Sequence, residues 1–182
     1  VSGIDVNARA NDGNSALMWA ARSGHIAVVN ALLAAPGIDV NVEANDGWTA
    51  LFGASRFGWT EVVNALLAVP GINLNARDTI YKDSALICAT KFRHTGVVQA
   101  LLDAPHIDVS ATDNNGNTAL DIATRNGDKE IVELIHNYQV KYEATKKIAK
   151  FAKTNFEHAK WRGPDPDTGR PGGWGFRKVD EK

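Results

Sequence analysis

The chain has 182 residues, 23% of them charged, and a formal net charge of −1. A near-neutral total gives no global attraction to nucleic acid or to an anionic membrane, and no apolar run is long enough to span a bilayer. One cysteine, Cys88, excludes an intrachain disulfide framework and fits a reducing intracellular compartment, cytoplasmic or nuclear in expectation, with an organelle left open.

The small total hides an asymmetry. Residues 1–139 carry 9 Lys/Arg against 15 Asp/Glu, a balance of −6, whereas residues 140–162 carry 7 against 2, a balance of +5. An acidic main part is followed by a short basic block. From its start the chain repeats itself. The opening Val1-Ser2-Gly3-Ile4-Asp5-Val6-Asn7 aligns with the residues around Ile38 and Ile72, which join the tail of one copy to the head of the next. A further repeat or a capping helix is therefore expected upstream in the parent protein.

The stretch Ile4 to Gly37 defines the unit, and its marker residues Ile4, Ile38, Ile72 and Ile107 lie 34, 34 and 35 residues apart. Each copy opens with I-D/N-V/L-N/S, continues through a polar turn into S/T-A-L-x-x-A, and closes with a run such as IAVVNALL. One such unit cannot bury its own apolar face, so neighbours must stack into a continuous core. The turn residues Asn11-Asp12-Gly13 and Asn45-Asp46-Gly47 suit positive φ and Asx hydrogen bonds. Ser15, Thr49, Ser84 and Thr118 are placed to cap a first, small-residue helix, which Gly24, Gly58 and Gly127 terminate. The second helix buries Ile26, Val29, Leu32 and Leu33, and Pro36, Pro70 and Pro105 stop it.

The third copy departs from this pattern. Its turn holds one extra residue, Thr79-Ile80-Tyr81-Lys82 replaces Asn-Asp-Gly, and Arg93 replaces the terminal glycine. An apolar Ile-Tyr pair at a turn tip is either loop drift or a partner contact. After Tyr138 the period is lost. Residues 139–162 predict a basic amphipathic helix with Val140, Ala144, Ile148, Phe151 and Phe156 on one half and lysines on the other. Capping the open end of the array is its expected use, with an anionic lipid surface or a calmodulin-like partner as the alternative. From Trp161 onward the chain reads as free of helix and sheet, with residues 163–182 a Pro/Gly-rich tail, and Trp161, Trp174 and Phe176 are candidate anchors onto the array or onto another chain.

The period and the S/T-A-L-x-x-A motif resemble the ankyrin repeat, over roughly three quarters of the chain. The resemblance implies an all-α solenoid of four helix pairs with projecting turns, at about 4–37, 38–71, 72–106 and 107–138, capped by the longer C-terminal helix. It also implies function on a concave surface of turn tips and inner helices. The tip positions are Arg9, Asn11, Asp12, Asn14, Glu43, Asn45, Asp46, Trp48, Arg77, Thr79, Ile80, Tyr81, Asp83, Thr112, Asn114 and Asn117. On the inner helices Arg22, Arg56, Lys91 and Arg125 form a basic ladder, with Phe57 and Phe92 beside it. Trp48, Phe57, Tyr81 and Phe92 are expected to form one aromatic patch.

No catalytic motif is present, and His25, His94, His106, His136 and His158 never approach metal-ligand spacing with Cys88 or one another. Cys88 reads as a small buried hydrophobe. The resemblance therefore implies a non-catalytic protein-interaction module with no cofactor or metal, with neither nucleic acid nor membrane expected as a partner. Two alternatives stand beside it: an accessory subunit of a large assembly held through its basic helix and aromatic tail, and the targeting part of an enzyme whose catalytic region lies elsewhere.

Overall fold

In the computed structural model of the chain, residues 3–162 and 173–176 are described, with side chains through Thr154. They fall into two compact units, Val1–His136 and Asn137–Lys182. The first unit is the array. Its inner helices are α1 (Ala16–Arg22), α3 (Ala50–Phe57), α5 (Ala85–Lys91) and α7 (Ala119–Asn126). The outer helices are α2 (Ile26–Leu33), α4 (Thr60–Leu67), α6 (Thr95–Asp103) and the start of α8 (Lys129–His158). Inner helices pack on inner helices, α2 on α4 and α4 on α6, so the array has two layers.

The caps follow from the sequence. Ser15, Thr49, Ser84 and Thr118 each accept a hydrogen bond from the backbone N–H three residues on, and Asp121 completes a capping box with Thr118. Between the layers the core is aliphatic. Leu17, Leu51, Leu86, Val63, Val97, Leu101, Ile131 and Ile135 are all essentially inaccessible to water.

Hydrogen bonds join the repeats at three levels. At the base, Asn7 Nδ2 donates to Gly37 O while Asn7 Oδ1 accepts from Asp39 N, at 2.8 Å each. Asn41 does the same to Gly71 O and Asn73 N, and Asn75 to His106 O and Asp108 N. This explains the recurring Asn of the repeat head. In the fourth copy Ser110 takes its place and reaches only its own Asp108. At the turn tips, Asn45 N donates to Asp12 O, Thr79 N to Asp46 O and Asn114 N to Tyr81 O.

The third level lies at the end of the inner helices. Trp59 Nε1 donates to Arg22 O at 2.9 Å, and His94 Nε2 lies 3.0 Å from Arg56 O, a contact that places the proton on Nε2. These rings lie directly against the preceding glycines. A Cβ on Gly24 would sit 2.6 Å from Trp59 Cδ2, and one on Gly58 2.6 Å from His94 Nδ1. Both glycines also have positive φ, so glycine is required there twice over. At the next joint the chemistry changes. Arg93 holds φ 58 without being glycine, donates through Nη2 to Asn126 O, and pairs through Nε with Asp128 at 3.3 Å. Asp128 is too small to cover the preceding backbone, which is why a side chain fits where the other copies need glycine.

Two expectations are corrected. The basic helix, running on from the outer helix of the last repeat as one element, α8, of 30 residues, ends at His158 and not at 162. In the second unit Val140, Ile148 and Phe151 are 69–72% exposed. Periodicity identified an apolar face; it carries no information on what covers that face. The tail is also not free of sheet. Strands β1 (Ala159–Arg162) and β2 (Gly173–Phe176) pair antiparallel, with Trp161 opposite Trp174 and Ala159 opposite Phe176. Main-chain pairing overrides composition here, and the remaining tail positions lie outside the described residues.

Two stability measurements check this account. Asn41→Ala removes both halves of a base staple and should cost about 1–2 kcal/mol in urea denaturation, whereas Ser110→Ala should stay within about 0.5 kcal/mol. Ile135→Asp buries a charge in the core and should cost at least about 3 kcal/mol, whereas exposed Ile148→Asp should leave the melting temperature unchanged.

Candidate functional site

The period places Arg22, Arg56, Lys91 and Arg125 at matching positions near the ends of the four inner helices. Each basic residue except the first meets the residue eight positions before it, the one preceding the helix cap. Arg56 lies 5.6 Å from the Trp48 ring centroid, Lys91 Nζ donates to Asp83 Oδ1 at 2.7 Å, and Arg125 Nη2 donates to Asn117 Oδ1 at 2.5 Å. The identity of that preceding residue decides what becomes of the charge.

For Arg22 and Arg56 the partners are aromatic, drawn from the first three copies. The Arg22 guanidinium lies 5.5 Å from the centroids of both Trp48 and Phe57, and 5.6 Å from that of Trp19. Arg56 lies 4.4 Å from Phe92 in addition to Trp48. Trp48 also packs on Phe52, at 4.9 Å between ring centroids, and Phe92 stacks near His94. The result is an alternating comb of guanidinium groups and rings, each contact attractive through the negative face of the ring. Phe57 and Phe92 are 43% and 45% exposed, so they do not turn inward to fill the core.

The lower part of the ladder is built differently. Lys91 pairs with Asp83 and with Asp113, 3.2 Å away, and both carboxylates are buried. Burial pushes the Asp83 carboxyl up, with Lys91 opposing it. Burial also acts to raise Asp113, but the Asn117 N–H, the Lys91 ammonium and the Asn115 N–H outweigh it and hold that carboxyl at about 2. Lys91 loses from burial and gains more from the two aspartates, so it ends raised. Asp113 in turn accepts from Asn117, the partner of Arg125. Lys91 is thus a buried-side counter-ion to two carboxylates, and a uniform basic ladder is not what the side chains form.

Ile80 and Tyr81 sit on another element, the enlarged third turn, where they are 61% and 57% exposed. Asp78 organises that turn, accepting from Tyr81 N and Asp83 N, while Lys82 adopts φ 59 to close it. Among the described residues Tyr81 makes no ring contact with Trp48, Phe57 or Phe92. Of the tip positions, Arg9 and Arg77 are occupied internally, reaching Glu43 O and Thr112 O of the following copy.

Trp19 belongs to the comb and escaped the sequence reading. Its periodic equivalents Gly53, Cys88 and Ile122 are buried, so the register assigns a core position, yet Trp19 is 47% exposed beside Arg22. Cys88 is buried as expected, and burial pushes its thiol up to about 12 against a smaller lowering by Arg56. The side chains of Trp161, Trp174 and Phe176 lie outside the described residues. A cleft of about 430 Å³ opens beside the repeat bases between Leu67 and His106, on the side of the outer-helix termini rather than the comb. Its lining is mostly aliphatic and backbone.

Lys91→Met strands two buried carboxylates and should cost about 1–3 kcal/mol in denaturant unfolding, discounted because Lys91 keeps contact with water. The pH dependence has a definite sign. Asp113 is depressed in the folded state, so its contribution is present above its unfolded pKa near 3.8 and is lost as pH falls from about 4 towards about 2. In Lys91→Met that loss should begin at higher pH, seen by following the melting temperature across the acid range.

Ankyrin repeats, as a pattern of three copies, match residues 1–78 and again residues 76–146. No curated protein matches the chain. Repeats of this kind generally serve as protein–protein interaction modules. With the match running through both halves of the array, the chain belongs to the ankyrin-repeat family.

Proposed function

We propose that the chain is a non-catalytic recognition module that seats a protein partner on the concave, inner-helix face of its array, with Trp48, Phe57 and Phe92 as anchors. The observation that carries this reading is the comb itself. Phe57 and Phe92 are exposed and Trp48 half-buried; large rings rarely stay exposed without a partner, and here each is flanked by a guanidinium. Anchors already held in place lose less conformational entropy on binding. Arg22 and Arg56 extend the same surface, while Ile80 and Tyr81 offer a second, tip-borne contact for a partner long enough to reach it.

A second reading, an assembly subunit held through α8 and the tail, draws support from the exposed Val140, Ile148 and Phe151. No described helix is long and apolar enough to cross a membrane.

Phe57→Ala and Phe92→Ala should each weaken binding of a partner captured by the array by about 2 kcal/mol, measured by calorimetry, with the melting temperature within about 2 °C of the parent. Val28→Ala, exposed on the outer helix α2, should leave affinity unchanged. A drop in stability without loss of affinity would make the rings packing elements.

A further inference from the structure

The comb differs from the rest of the array in one electrostatic respect. Lys91 is satisfied by two aspartates and Arg93 by Asp128. Arg22 and Arg56, among the described residues, have no carboxylate within ion-pair distance. Arg22 is held by ring faces, and Arg56 by ring faces with the Cys88 thiol beside it; stacking of this kind leaves in-plane N–H groups of each guanidinium for an incoming acceptor. Both guanidinium carbons lie within 5.6 Å of the Trp48 centroid, so they are no more than about 11 Å apart. We infer that the partner segment seated on this face is acidic and apolar on one side, presenting two carboxylates, two residues apart, to Arg22 and Arg56 and an apolar side chain two residues to either side of that pair to Phe57 and Phe92. The inference rests on the interaction reading and specifies the chemistry of its partner.

Spacing and charge agree with it. In an extended segment, residues two apart lie about 6.8 Å from each other and face the same side, within reach of two arginines this close. A carboxylate accepting from a guanidinium forms a charge-assisted, forked hydrogen bond. A single-stranded nucleic acid also stacks on rings and pairs with arginine. Residues 1–139 carry a balance of −6, however, which opposes a polyphosphate along its whole length and a segment with two carboxylates far less.

The test uses the full chain and three labelled heptapeptides: one with Phe at positions 1 and 7, Glu at positions 3 and 5 and Ser between, the same peptide with Gln for Glu, and the same with Lys for Glu. A decauridylate is the fourth probe. By fluorescence anisotropy the Glu peptide should bind about tenfold more tightly than its Gln counterpart, with a preference that shrinks as salt is raised. Arg56→Gln and Arg22→Gln, each verified by an unchanged melting temperature, should reduce that preference about five- to tenfold, and Lys129→Gln on the exposed start of α8 should not. No binding of the Glu peptide, equal binding of Glu and Gln peptides, or tighter binding of decauridylate overturns the inference. If the Glu and Gln peptides bind equally and Phe57→Ala weakens both, the interaction reading survives and only the acidic class falls.

Discussion

Everything in the array depends on the joint between neighbouring repeats. A helix pair of this size has too little interior to hold itself together, so its stability comes from what the next pair covers and what the next pair hydrogen-bonds. The apolar half of the joint is the continuous row of leucines and valines. The polar half is a set of bonds that repeat with the period: tip to tip, helix end to junction ring, and base to base through Asn7, Asn41 and Asn75. Each of these asparagines uses a donor and an acceptor at once, so it fixes the translation of one repeat on the next as well as its distance. Apolar packing alone leaves that register loose.

The face that results is regular in position and irregular in chemistry. Four cations stand in line, yet two rest against rings and one is spent on buried carboxylates. The switch is made by one residue per repeat, just before the inner-helix cap. Trp48 there leaves Arg56 available at the surface, whereas Asp83 draws Lys91 inward. Such a device separates scaffold from surface cheaply. The inner helices keep their register while the residue before the cap, with Asp113 of the next copy in the case of Lys91, determines whether a charge serves the fold or faces outward.

The period, the caps and the helix ends were legible in the sequence because each is local, set by Ser or Thr at the cap, by glycine at the helix end or by apolar spacing. The base asparagines were visible as a repeat and unreadable as staples, since their partners lie 30 or more residues away. The positions of the comb followed from the register, but the fate of Lys91 did not, because it depends on Asp113 in the next copy. Trp19 was missed because its register equivalents are core residues. The use of the apolar face of α8 is not legible in the same way, because an amphipathic pattern specifies a face and leaves its covering open. The strands at Trp161 and Trp174 were hidden by their glycine and proline neighbours, since pairing between distant segments has no local signature.

The matched junctions have a consequence for how such an array changes over time. Gly24 goes with Trp59, Gly58 with His94 and Arg93 with Asp128, and in each case the two members sit in different repeats. A repeat duplicated or moved elsewhere in the array takes with it half of one joint and half of another. Arg93 placed beneath a ring would collide with it, and a glycine placed before Asp128 would leave the acid without its cation. The heritable unit of this protein is therefore the seam rather than the helix pair, and recombination among its repeats is restricted to exchanges that keep both sides of a seam compatible.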